Sequence, residues 1–193
     1  HLAWSSLGFL GLKLVAVAIA LMIPASAFVA PDVLVEQGSQ LIALTNQLRA
    51  EKGLPPLDRA SLLIRSAQSK ADDMAQKQYF SHVSPDGHRL SYFLSRSGYA
   101  YSAAGENLAM GFSDANSVMT AWMKSPTHYE NLIDPEFHDL GIGLEGGEYE
   151  GKPTVFIAQH FALARQLTKP VEEPKTEPVR AKPTPTTPVA PPA

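Results

Sequence analysis

Three polar residues in three separate short motifs are the ones whose types could do chemistry. His82 closes Tyr79-Phe80-Ser81-His82, Glu106 sits in Ala104-Gly105-Glu106-Asn107-Leu108, and His128 lies in Trp122-Met123-Lys124-Ser125-Pro126-Thr127-His128. Two imidazoles and a carboxylate form a recognised donor set for zinc with a coordination position left open. They can equally move protons on a bound group, with Glu106 as general base. The spacing carries no compact metal signature such as HExxH. No GxSxG is present, and Ser81 beside His82 does not form a nucleophile elbow. Glu106 is followed by Leu108-Ala109-Met110, a stretch apolar enough to bury it, and a buried carboxylate needs partners or a shifted pKa. Of the other histidines, His88 falls in a turn region, and His160 alternates with apolar neighbours on a strand; both read as structural, with His160 the nearer to a cleft.

Bringing these residues together is the task of the fold. The chain has 193 residues, 45% hydrophobic and 18% charged, which is enough for one domain with extensions. It contains no cysteine, so disulfides, thiolate zinc sites and cysteine nucleophiles are excluded. A net charge of −3 offers no electrostatic basis for nucleic-acid binding. The chain opens on His1, and we expect a piece of a longer product.

Residues 1–31 read as a signal peptide or a membrane anchor. Lys13, the apolar run Leu14–Ile23 and Ala25-Ser26-Ala27 supply the three parts of a secretory signal. Leu14 to Ala30 is also long enough for a membrane span, and both readings make the remainder exported. Residues 32–168 read as the folded domain. Leu34, Leu41, Leu44 and Leu48 recur near helical spacing over Val33–Lys52, stopped by Gly53-Leu54-Pro55-Pro56. Asp58 is placed to cap a second helix from Arg59 to about Gln78, with Leu63, Ala67, Ala71 and Met74 as its apolar stripe and Arg65, Lys70, Asp73 and Lys77 largely off it. Ser84-Pro85-Asp86-Gly87 reads as a turn, and a short helix with Leu90, Phe93 and Leu94 ends at Gly98. Ser113 is expected to cap a helix through Lys124, and Ser125-Pro126 to open another. Leu140–Leu144 and Thr154–Ala158 read as strands joined by a Gly146-Gly147 to Gly151 turn region, with a third strand through Glu106 to Gly111. Residues 169–193 read as a disordered linker or stalk, because proline and charge dominate and little apolar surface is available to bury.

Several motifs occur in order: Tyr79-Phe80-Ser81-His82, Ser84-Pro85-Asp86-Gly87, Gly105-Glu106-Asn107-Leu108, Ala121-Trp122 through Asn131-Leu132, Gly141-Ile142-Gly143 and Ala158-Gln159-His160-Phe161. Over about residues 36–164 this resembles the bacterial branch of the CAP superfamily, the SCP-like extracellular domain of cysteine-rich secretory proteins, antigen 5 and pathogenesis-related proteins. The resemblance implies an α+β fold: an α-β-α sandwich with a small, mostly antiparallel sheet of three or four strands between helical layers. It also implies a cleft lined by two His and, in many members, two Glu. His82, Glu106 and His128 match three of these positions, while the fourth is Ser125 here. The function this implies is a ligand-binding or interaction module for a lipid, a cell-wall component or a protein. His82 and His128 would hold a divalent metal such as zinc, and an uncleaved N-terminal segment would reach the membrane. The alternatives are a metal-dependent hydrolase acting on peptides or cell wall, with Glu106 as general base, and a structural or adhesive surface module.

Overall fold

A computed structural model describes residues 30–165. The N-terminal leader or anchor and the proline-rich stalk expected from the sequence lie outside the described residues. Among the described residues no helix is long and apolar enough to cross a membrane.

The elements run α1 (Pro31–Glu51), β1 (Asp58–Arg59), α2 (Ser61–Lys77), α3 (Leu90–Ser97), β2 (Tyr101–Met110), α4 (Ala115–Lys124), α5 (Pro126–Ile133), β3 (Asp139–Tyr149) and β4 (Lys152–Ala164). The sheet order is β1-β3-β4-β2. The three long strands are antiparallel and the short β1 is parallel to β3, so the sheet is mixed. Helix α2 packs on one face with α3 beside it, and α1, α4 and α5 build the other layer. The expected α-β-α sandwich is therefore the observed architecture.

Local differences from expectation have identifiable causes. Asp58 does not cap α2. Its N–H donates to the His138 carbonyl at 2.8 Å and that of Ala60 to Leu140 at 3.2 Å, so β3 holds the chain extended until Ser61. Asp114, not Ser113, caps α4, its carboxylate accepting from the Ser117 N–H at 2.9 Å. Gly146 and Gly147 continue β3 instead of turning. The hairpin closes at Glu150-Gly151, both with positive φ (51° and 74°), the two-residue turn that matches strand twist.

The spacing Gly141-Ile142-Gly143 has a steric reason. A Cβ on Gly141 would lie 2.2 Å from the Leu63 backbone, and one on Gly143 would lie 2.2 Å from the Gln68 backbone. The two glycines face α2 and let it rest directly on β3. Gln68 then completes the contact: its amide donates to the Leu144 carbonyl at 2.9 Å and accepts from the Leu144 N–H at 3.2 Å. This side chain occupies part of a strand edge that β1 is too short to cover.

Because backbone cannot yield as a side chain does, Gly143→Ala is expected to lower unfolding free energy by about 3 kcal/mol. Gly146→Ala, with nothing near its added Cβ, should stay within about 0.5 kcal/mol of the parent. Urea denaturation of the two variants checks this; equal stabilities would mean that the α2–β3 approach is looser than described.

Candidate functional site

The site is built on β2, which among the described residues is an edge strand paired with β4. The register sets Glu106 opposite His160 and Asn107 opposite Gln159. Side chains alternate across a strand, so the first pair faces α2 and the second faces the α1, α4 and α5 layer. That division organises the site.

On the α2 side, the Glu106 carboxylate is 4% exposed and lies between two imidazoles. Oε1 is 2.7 Å from His82 Nδ1, and Oε2 is 3.0 Å from His160 Nε2. His160 is fully buried, with Nδ1 3.0 Å from the Ser66 hydroxyl of α2. Burial by itself would raise the Glu106 pKa. The hydrogen bonds from His160 and His82, aided by the charges of His160 and Lys70, outweigh it and hold the carboxyl at about 2. An ionised carboxylate only accepts, so His82 Nδ1 and His160 Nε2 both donate. In neutral His160 the Ser66 hydroxyl then donates to Nδ1.

His82 itself is displayed. Its side chain is 59% exposed, and among the described residues its Nε2 has no hydrogen-bond partner. The left-handed residue Gln78 ends α2 and turns the chain back along the helix. The loop is fixed from beneath by the buried Lys70, whose ammonium donates to the Ser81 carbonyl at 2.7 Å and the Tyr79 hydroxyl at 3.0 Å. Tyr79 in turn donates to Asp73 at 2.6 Å. Lys70 is thus a correction to the sequence reading, which set it off the buried stripe. Burial lowers its pKa, against the attraction of Glu106 and Asp73.

His128 arrives from the other layer. Asn131 of α5 donates to the Glu106 carbonyl at 3.2 Å and to the Asn107 side-chain oxygen at 2.8 Å, and Asn107 donates to the His128 carbonyl at 3.2 Å. Asn107 also donates to Gln159, and Gln159 to Thr45 of α1, so these buried amides are satisfied through to the opposite helix. Gly105 permits the approach, since a Cβ there would fall 2.7 Å from Asn131 Oδ1. Buried Arg49 holds the far end of α5 by donating to the Leu132 and Asp134 carbonyls. His128 Nδ1 lies 2.8 Å from the Ser125 hydroxyl, so the serine at the expected fourth carboxylate position serves as a ring partner instead. Burial, then the charge of His82, lower the His128 pKa and favour the neutral ring. Glu130 is exposed, as its helical spacing from His128 requires.

The structure therefore joins His82 and Glu106 directly, and ties Ser125 to His128. His160, structural by its sequence pattern though the nearer to a cleft, is the second partner of Glu106. The signal available was a histidine in an otherwise apolar strand. Among the described residues no three His, Asp or Glu side chains stand as a ready-made metal cage. An apolar cavity of about 420 Å³ lies at the opposite edge of the sheet, lined by Leu34, Ile42, Ile64 and Ile142. It carries none of these histidines, and chemistry directs attention to the β2 edge instead.

Comparison with known proteins follows the same residues. The profile of the family described as CAP, the cysteine-rich secretory protein family, matches residues 42–161. YkwD of Bacillus subtilis is 36% identical over 119 residues, covering 61% of this chain and 46% of YkwD. The B. subtilis membrane protein YlbC is 30% identical over 110 residues, covering 57% of this chain and 32% of YlbC. An extracellular SCP-domain protein of Bacillus anthracis superposes with a TM-score of 0.59 at 30% identity, covering 69% of this chain and 44% of that one. An outer surface protein of Borrelia burgdorferi shares the fold with a TM-score of 0.58 at 22% identity, covering 67% of this chain and 94% of that one. The matched region spans less than half the length of either B. subtilis relative.

A carboxyl depressed from 4.5 to about 2 on folding stabilises the native state fully above the unfolded pKa. That contribution is lost as pH falls through the folded one. Glu106→Gln should lower stability at pH 7 by about 2 kcal/mol. It should also remove the Glu106 share of the stability loss between pH 4.5 and 2. Urea unfolding across that range compares the two slopes, and parallel curves would rule out a depressed Glu106.

Proposed function

The chain belongs to the cysteine-rich secretory protein (CAP) family, and from that premise we propose that it is an exported bacterial CAP domain acting as a ligand-binding or interaction module. The cation would be held by His82 and His128, with zinc the first choice. The extracellular B. anthracis relative and the membrane protein YlbC support an extracellular or cell-surface location. The observation that carries the metal reading is the donor arrangement. His82 Nδ1 is tied to a carboxylate and His128 Nδ1 to a hydroxyl, so each ring has Nε2 left for a ligand. A histidine whose second nitrogen donates to a carboxylate is fixed in orientation and made a better ligand. Both Glu106 oxygens are already engaged, so its part is to orient His82 rather than to abstract a proton. A bound zinc would supply a Lewis acid with open positions. A lipid headgroup, wall fragment or protein side chain would be the ligand it recruits.

The His82–Glu106 pair also supports a second reading, hydrolysis of peptides or cell wall. The same carboxylate that orients a ligand imidazole equally orients a general base. Ser125, at the position where the family resemblance implies a second carboxylate, favours binding over turnover.

Calorimetric titration with zinc should show one site of micromolar affinity at pH 7. Binding should weaken as acid protonates the imidazoles. His82→Ala and His128→Ala should each abolish the site, and Glu106→Gln should weaken it about 10–100-fold. Absence of zinc binding by the parent chain would refute the metal reading. Peptidoglycan or peptide cleavage that disappears in His82→Ala would move the assignment to the hydrolase.

A further inference from the structure

Lys70 supplies no ligand in the proposed binding, yet its side chain is fully buried. Its polar partners are a carbonyl and a hydroxyl, with the rings of Tyr79 and Phe93 at 4.8 and 5.3 Å. Burying an ammonium costs free energy that an apolar side chain of similar length would not incur. Its hydrogen bonds, which an apolar side chain could not make, are what distinguish it. The carbonyl it holds belongs to Ser81, the residue immediately before His82.

The rest of the helix face has the same orientation of purpose. Ser66, Lys70, Asp73 and Lys77 recur at spacings of four, three and four and so share one face of α2. Ser66 meets His160 beneath Glu106. Lys70 and Asp73 both meet Tyr79, and Lys77 links Asp73 to Asp86 in the turn beyond His82. One side of a single helix thus contacts the loop before His82, the turn after it and the support of its carboxylate partner. Buried charge also attracts Glu106 from below.

We propose that Lys70 is a positioning residue for His82: by holding the Ser81 carbonyl and the Tyr79 hydroxyl, it places the His82 ring where Nδ1 meets Glu106 and Nε2 faces a ligand. This rests on the metal-binding reading for its consequence, but not for its geometry. Lys70 touches neither His82 nor a ligand, so its effect passes through the loop backbone.

The test uses the full chain with Lys70→Met, which keeps length and removes the donors, and Tyr79→Phe, which deletes one oxygen. Two quantities are read: the His82 tautomer, from long-range 1H–15N NMR, and the zinc dissociation constant. In Lys70→Met the fold is expected to persist. His82 should change from the Nδ1–H form to a mixture of tautomers, and zinc affinity should fall about 10–100-fold. Tyr79→Phe should move both in the same direction by less. A folded Lys70→Met with the parent tautomer and the parent zinc affinity overturns the proposal. Should Lys70→Met fail to fold, Tyr79→Phe decides by the same readouts, and parent values there overturn it. If the parent takes up no zinc, the metal reading fails while the tautomer still reports on Lys70.

Discussion

A buried carboxylate must be compensated, and the structure around Glu106 is organised by that requirement. Taking an ionised carboxyl out of water costs several kcal/mol unless hydrogen bonds and opposite charge replace the lost hydration. Here two imidazoles each donate to one oxygen, and the Lys70 ammonium adds its field. Each of those partners must be positioned in turn. Register on β4 places His160, Ser66 of α2 occupies its other nitrogen, and Lys70 holds the loop that carries His82. The close contact of α2 with β3, which Gly141 and Gly143 permit, fixes the helix that supplies these groups.

The opposite face of the same strand solves a different problem. Asn107, one residue on, points into the other helical layer and is satisfied by amides that lead to α1 and α5. The consecutive pair Glu106-Asn107 therefore ties both layers to one edge strand. Glu106 governs His82, and Asn107 governs the helix bearing His128. Neutral amides suit this second role, since they satisfy one another without the desolvation cost of charge. The result is two imidazoles from separate layers, each with one nitrogen committed and one available.

The sandwich, the five helices of the described residues and the long strands were legible in the sequence, because hydrophobic period and turn residues such as Gly98 and Ser125-Pro126 act locally. His82, Glu106 and His128 stand out in the sequence through the ordered motifs around them, and the structure joins the first two directly. What was not legible depends on contacts between distant segments. Asp58 looks like a cap until β3 claims the neighbouring amides. Lys70 looks like a solvated helix residue until the chain turns at Gln78 and lays Ser81 and Tyr79 over it. His160 reads as one more inward strand position until strand register sets it against Glu106. In each case a contact outside the local pattern decides the role: backbone pairing for Asp58 and His160, and the returning loop for Lys70.

The central claim is that ionised Glu106 commits the Nδ1 of His82 and leaves its Nε2 free. The most direct measurement is long-range 1H–15N NMR of the parent protein at a pH where His82 is neutral. The account predicts the Nδ1–H tautomer for His82 and the Nε2–H tautomer for His160. A His82 ring protonated on Nε2 instead would contradict it.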